Sequence, residues 1–273
     1  MSSEPSPLAA RIVEAVLPRL KARSRLPFVL GLCGAQGSGK STVCVELEYR
    51  LRAAGFRAAT LSLDDLYLPA QDRAHLALTV HPLLRTRGVP GTHDVALGLR
   101  VIDRLGQVAA TPLPRFDKAR DMRRAQEDWP VVDGPVDLLL FEGWCVGAMP
   151  QADDALIDPV NDLERTEDCD GAWRRAVNDA LGGAYQALFG RIDMVVLLAA
   201  PDFGVVRGWR AQQEHDLRRR MLVLGEPILG VMSDQAIARF VQHYERLTRH
   251  ILAEMPMRAE MTVQLDADRR MIY

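Results

Sequence analysis

The chain is short of several features that mark large protein classes. No apolar run reaches the about 18 residues that cross a bilayer, so no membrane helix is expected. The four cysteines, Cys33, Cys44, Cys145 and Cys169, form no C-x-x-C pair and lack metal-ligand spacing. They are expected as reduced, buried or partly buried thiols of a cytoplasmic protein. The opening "MSSEPSPLAARIVEAV" lacks a basic region followed by an apolar one, and no secretion signal is expected. Neither sign of charge dominates: 34 Lys and Arg face 36 Asp and Glu, with a formal net charge of −2. That balance gives no reason to expect a nucleic-acid or membrane-surface partner. Repeats and low-complexity linkers are also missing, so residues 1–273 read as one domain.

What is there is an alternation of apolar runs with helical periodicity. Leu8, Ile12, Val13, Val16, Leu17 and Leu20 recur at helical spacing, so residues 1–26 are expected to lay a helix on the main domain. "PFVLGLCG", "AATLSLDDLY", "VDLLLFEGW", "DMVVLLAAP" and "MTVQLD" read as five strands. Helical stretches separate them, among them "KSTVCVELEYRLRAAG" and residues 94–106. This pattern predicts an α/β fold with a mostly parallel five-stranded sheet and helices on both faces. Residues 71–93, rich in Pro, Gly and His, are expected to be irregular. The acidic segment Gln151 to Asp170 is expected as a solvated loop or surface insertion.

Between the first strand and its helix lies "GAQGSGKST", which matches the phosphate-binding pattern G-x-x-x-x-G-K-[ST]. Gly34, Gly37 and Gly39 let the backbone curl, so that N–H groups from Gly34, Ala35, Gln36, Gly37, Ser38, Gly39, Lys40, Ser41 and Thr42 can face phosphate oxygens. The helix N-terminus adds its positive dipole end. Lys40 can reach the outer phosphates, and the Ser41 hydroxyl can ligate Mg²⁺. Glu142, ending the "LLLFEG" strand, is the expected second metal anchor, since ligands of such sheets bind at the carboxyl ends of the strands. The expected architecture is therefore of the P-loop NTPase type, with ATP and Mg²⁺ as cofactors. A GTPase would carry N-K-x-D and a transporter ATPase an L-S-G-G-Q-like stretch; both are missing.

A small-molecule kinase needs a base near the terminal phosphate and cations for the acceptor and the moving phosphoryl group. In "SLDD" either Asp64 or Asp65 can project from the strand end and take a hydroxyl proton. "LLRTRGVPGTHD" supplies Arg85, Arg87 and His93 with Asp94. "PLPRFDKARDMRR" supplies Arg115, Lys118, Arg120, Arg123 and Arg124, and "VRGWRAQQEHDLRRR" supplies Arg207 and Arg210.

At these segments the chain resembles a known family. "SLDDLY", "PRFDK" and "FEGW" are similar to runs of the kinases that include uridine kinase, phosphoribulokinase and pantothenate kinase. "RGVPGTHD", "LPRFDK", "WPVVDGPVDLLLFEGW" and "WRAQQEHDLR" more closely resemble the D-glycerate 3-kinase family, over a span from about Pro27 to the C-terminus. Leu66 departs from the family, which tends to carry an aromatic residue there. The resemblance implies transfer of the ATP γ-phosphoryl group to the 3-hydroxyl of D-glycerate, a small anionic substrate. It implies Asp64 as the catalytic acid/base, and Asp64 is also expected as a metal-site residue with Ser41 and Glu142. It implies Asp65, Tyr67, Arg87, His93, Asp94, Arg115 and Lys118, with Asp117 nearby, at the acceptor. It also implies a mobile lid over residues 203–225 that carries Arg207 and the catalytic Arg210. An Arg suits a planar carboxylate through two parallel hydrogen bonds, and Arg87 and Arg115 are the candidates. Rival readings are the same chemistry on a nucleoside, pantothenate or another hydroxy acid, or a silent nucleotide-binding regulator.

Overall fold

The computed structural model describes residues 6–224 and 232–272. It runs through α1 (Pro7–Lys21), β1 (Phe28–Gly34), α2 (Lys40–Ala53), β2 (Ala58–Ser62), α3 (Ala70–Thr79) and α4 (Val95–Leu105). Two small antiparallel ladders follow: β3 (Ala110–Pro112) with β6 (Val131–Asp133), and β4 (Phe116–Asp117) with β5 (Met122–Arg123). Then come β7 (Leu138–Gly143), α5 (Asp162–Glu167), α6 (Ala172–Gly182), α7 (Ala184–Phe189), β8 (Met194–Ala199), α8 (Gly204–Leu224), α9 (Asp234–Glu254) and β9 (Met261–Gln264).

The main sheet has five strands in the order β2-β7-β1-β8-β9, all pairs parallel. β1 and β7 are buried along their whole length, which is why they read as unbroken apolar runs rather than alternating ones. Alternate residues serve opposite faces. Leu30, Leu32, Leu138 and Leu140 join a core layer with Ile12, Val16 and Leu20 of α1 and Leu47 and Leu51 of α2. Val29, Cys33, Leu139 and Phe141 join the other layer, with Ile102 of α4, Leu188 of α7 and Leu247 of α9. Register then sets the site: Leu32 pairs with Glu142, and Ser62 pairs with Glu142 from the other side. The phosphate loop after β1, the acids after β2 and the end of β7 therefore meet at the carboxyl end of the parallel strands.

Three expectations change. Residues 71–93 are not irregular throughout: α3 covers Ala70–Thr79 and a 3₁₀ turn covers Pro82–Arg85. Arg73 is the buried residue of α3, so this helix lacks the apolar stripe that would reveal it. The acidic segment Gln151 to Asp170 is largely at the surface as expected, with Asp153, Asp154, Asp158, Asp162, Glu167 and Asp170 exposed, but it is anchored at two points. It holds α5, and Glu164 and Asp168 are buried. The Arg246 guanidinium of α9 bonds both Glu164 oxygens, at 2.8 and 2.7 Å, and Arg174 of α6 bonds Asp168 at 3.0 Å. These two acids, which look like surface charge in the sequence, are buried ion pairs with arginines of other helices. The cysteines are all free, but Cys169 is exposed while the other three are buried. No helix among the described residues is long and apolar enough to cross a membrane.

Removing one partner of a buried ion pair leaves an uncompensated charge. Arg246→Met is expected to destabilise the fold by about 3–5 kcal/mol, measured by urea unfolding; a loss below about 1 kcal/mol would show Glu164 to be solvated.

Candidate active site

α2 begins at Lys40, and its N-cap Gly39 is left-handed (φ 90°), as is Gly37 (φ 80°). A Cβ on Gly39 would meet no atom within 4 Å, so open space lies beside the loop at the positive end of the helix. Lys40 Nζ donates to the carbonyls of Gly34 (2.8 Å) and Ala35 (3.1 Å) and so lies along the loop. Gln36 Oε1 and Ser38 Oγ are buried without protein partners. An ammonium, a helix start and an open cradle suit an anionic phosphate chain. Ser41 Oγ donates to Glu142 Oε1 at 3.2 Å. A hydroxyl facing a carboxylate offers the hard oxygen donors that Mg²⁺ prefers. Among the described residues no cluster of three or more His, Cys, Asp or Glu side chains could hold a metal.

β2 stops at Ser62, whose Oγ caps a 3₁₀ turn over Leu63–Leu66 by accepting the Asp64 N–H at 3.3 Å. The turn separates the two acids. Asp64 lines the cleft beside Lys40, Ser41 and Glu142, whereas Asp65 does not. Asp65 accepts from the Phe116 N–H (3.1 Å) and Arg115 (3.3 Å) and so holds the "PRFDK" segment in place. Burial raises the Asp65 carboxyl above its usual value, opposed by the Arg115 charge. Asp64 has one oxygen bonded by the Tyr67 hydroxyl (2.7 Å) and the other by Lys118 Nζ (2.6 Å). Burial by itself would raise its pKa. The Lys118 charge and hydrogen bond, with the Tyr67 hydroxyl, outweigh that and hold the carboxyl well below the usual range. The same pairing raises Lys118.

The remaining cations divide in two. Arg87 lines the cleft, bonded to Asp121 and to the Lys118 carbonyl (3.2 Å), with its guanidinium 5.6 Å from the Phe116 ring centre. Arg210 lines it from α8, paired with buried Glu214 and lying over the Phe240 ring. Arg115 is turned toward Asp65, and Arg207 is an exposed residue of α8; neither lines the cleft. His93 and Asp94 also stand behind the wall. Asp94 caps α4 by accepting the Leu97 N–H (2.9 Å) and pairs with Arg123. His93 stacks on Tyr67 (4.7 Å), and its Nδ1 meets the Tyr185 hydroxyl, which also accepts the Gly91 N–H. Burial pushes His93 down to about 4, so it is neutral at pH 7. Thr42 is exposed on the first turn of α2. The lid expected over 203–225 corresponds to α8; Gly225 lies outside the described residues, as do Met1–Pro5 of the N-terminal segment.

Gly143, Trp144, Gln213, Phe240 and Tyr244 also line the cleft and are not marked as site residues by the sequence. Trp144 stands in the "FEGW" run, and its indole donates to the Gly88 carbonyl at 2.7 Å. Phe240 and Tyr244 are four apart on α9, a spacing that reads as ordinary core. A Cβ on Gly88 would lie 2.0 Å from the Tyr244 hydroxyl, which explains the glycine.

A parallel sheet with a phosphate loop, a metal-suited Ser–Glu pair and a cation-held Asp at the carboxyl ends of its strands defines a P-loop kinase. No protein-family model matches the chain. It is 33% identical over 247 residues to the uncharacterized kinase mug58 of Schizosaccharomyces pombe, covering 85% of each chain. It is 31% identical over 230 residues to the chloroplastic D-glycerate 3-kinase of Arabidopsis thaliana, covering 80% of this chain and 46% of the plant protein, so less than half of the plant protein's length is matched. The solved D-glycerate 3-kinase of Cryptococcus neoformans var. grubii shares the fold, with a TM-score of 0.79, 24% identity and coverage of 98% of both chains. The chain belongs to the P-loop kinase family that contains the S. pombe and Arabidopsis proteins.

Asp64's depressed pKa means that its ionised form favours the folded state at pH values above the usual carboxylate range, and that this contribution is lost as pH falls through the folded value. Lys118→Met removes the charge that opposes burial. The Asp64 carboxyl is then expected to titrate above the usual range, read by ¹³C-carboxyl NMR; an unchanged low titration would mean that Lys118 does not set it.

Proposed function

We propose that this kinase transfers the γ-phosphoryl group of ATP to the 3-hydroxyl of D-glycerate, forming 3-phosphoglycerate and ADP. The observation that carries the reading is Asp64, held ionised between Tyr67 and Lys118 in the cleft that also holds Lys40, Ser41 and Glu142. Kinship with the Arabidopsis D-glycerate 3-kinase supports the choice of acceptor.

In this reading the donor phosphates lie on the loop from Gly34 to Thr42. Ser41 and Glu142 would hold Mg²⁺, which would supply charge neutralisation to the phosphates when bound. Asp64 accepts a hydrogen bond from the acceptor hydroxyl and orients its oxygen toward the γ-phosphorus. As the new O–P bond forms and the bond to ADP breaks, the hydroxyl proton passes to Asp64. A carboxyl with so low a pKa is an orienting acceptor first and takes the proton late. Lys40, Lys118 and Arg210 are the cations that meet the negative charge of the transferring group. Arg87 is the cation for the glycerate carboxylate, because it lines the cleft while Arg115 is committed to Asp65. α8, which carries Arg210, serves as the cover that keeps water from the reacting phosphorus. The four free cysteines support a reducing, cytoplasmic setting.

The test is ATP-dependent formation of 3-phosphoglycerate by the purified protein, with uridine and pantothenate as parallel acceptors. Turnover of another acceptor and none of glycerate would sink the substrate assignment. Asp64→Asn is expected to lower kcat by about 10²–10⁴-fold with ATP affinity little changed. Full activity in that variant would remove Asp64 from the mechanism.

A further inference from the structure

The last turn of the described chain reaches back to the phosphate loop. After β9 the backbone folds on Asp266. The Asp266 N–H donates to the Arg270 carbonyl (2.9 Å), and the Arg269 N–H donates to the Asp266 carbonyl (3.0 Å). The Asp266 carboxylate accepts the N–H groups of Asp268 (2.9 Å) and Arg270 (2.8 Å). This turn leaves Arg269 at φ 67°, in the left-handed region that residues with a Cβ seldom adopt. The conformation delivers a guanidinium to a defined place. Arg269 Nε donates to the Gly37 carbonyl at 2.6 Å, and Nη2 donates to Gln212 of α8 at 3.0 Å. The guanidinium lies 5.5 Å from the Trp209 ring centre. Trp209 closes the other side: its indole N–H donates to the Ala267 carbonyl at 2.6 Å. A Cβ on Gly37 would sit 2.6 Å from the Trp209 Cβ.

Gly37 lines the nucleotide cleft; Arg269 does not. A carbonyl oxygen is the negative end of its peptide dipole. Turned toward bound phosphates, the Gly37 oxygen would repel them. Bonded to a cation outside the cleft, it stays away, and the adjoining Ser38 N–H is committed to the loop through the Ala35 carbonyl (3.2 Å). We propose that Arg269 is a positioning residue for nucleotide binding: it holds the Gly37 carbonyl out of the phosphate site and clamps the loop against Trp209 of α8. This rests on the reading of the loop as the ATP site, and it assigns a function to a residue far from every motif that marks that site.

The experiment is calorimetric titration of the full chain with Mg²⁺–ATP, for wild type, Arg269→Ala and Arg269→Lys, with melting temperatures recorded in parallel. Losing a charge-assisted hydrogen bond predicts at least about tenfold weaker ATP binding in Arg269→Ala, with the KM of the acceptor little changed. Arg269→Lys is expected to recover part of the affinity, because an ammonium lacks the planar fork that meets two acceptors while covering an indole. An Arg269→Ala affinity within about twofold of wild type overturns the proposal, even if the melting temperature falls. If Arg269→Ala does not fold, Arg269→Lys decides: weaker ATP binding at an unchanged melting temperature supports the clamp, and unchanged affinity overturns it. Wild type that fails to bind Mg²⁺–ATP would overturn the ATP-site reading and the clamp together. Wild-type binding with unaffected variants overturns the clamp alone.

Discussion

Parallel register among β2, β7 and β1 is the constraint on which the rest of the site depends. Glu142 stands level with Leu32 on one side and Ser62 on the other. Three chain segments far apart in sequence therefore leave the sheet at the carboxyl ends of neighbouring strands. A one-residue slip would turn the alternating side chains to the wrong face and separate Ser41 from Glu142. The two apolar layers hold this register, since every inward side chain of β1 and β7 is buried against helices.

The cleft is also a problem of charge placement. Several cations approach one another there, and each is held by a partner: Lys118 by Asp64, Arg87 by Asp121, Arg210 by Glu214. Asp121 is the point where two basic segments meet, because it also takes Arg73, which is buried. The pairs keep like charges apart while leaving the groups at the cleft wall. Removing bulk water strengthens each of these interactions, which is the setting phosphoryl transfer needs.

Much of the site was legible because its residues sit at element ends marked by apolar runs. The loop follows β1, Asp64 follows β2 and Glu142 ends β7, each readable from a hydrophobic run and its last residue. What escaped was decided by partners distant in sequence. Asp64 and Asp65 are adjacent and chemically identical, yet a 3₁₀ turn sends one to the cleft and the other to Phe116 and Arg115. His93 and Asp94 belong to a distinctive motif, yet one backs Tyr67 and the other caps α4. Glu164 and Asp168 read as solvated like the exposed acids around them because the arginines that pair with them lie on α6 and α9.

The sequence by itself determined the class of fold and the phosphate donor site. Buried parallel strands must be apolar, and a loop that curls around phosphates must spend glycines at set positions. Both demands are local and leave a readable mark. The tertiary structure alone decided that Asp65, His93, Asp94 and Arg115 stand outside the cleft lining and that the last turn of the described chain grips the phosphate loop. Those outcomes depend on the direction of a side chain and on partners up to 232 residues away in sequence, and no local pattern encodes either.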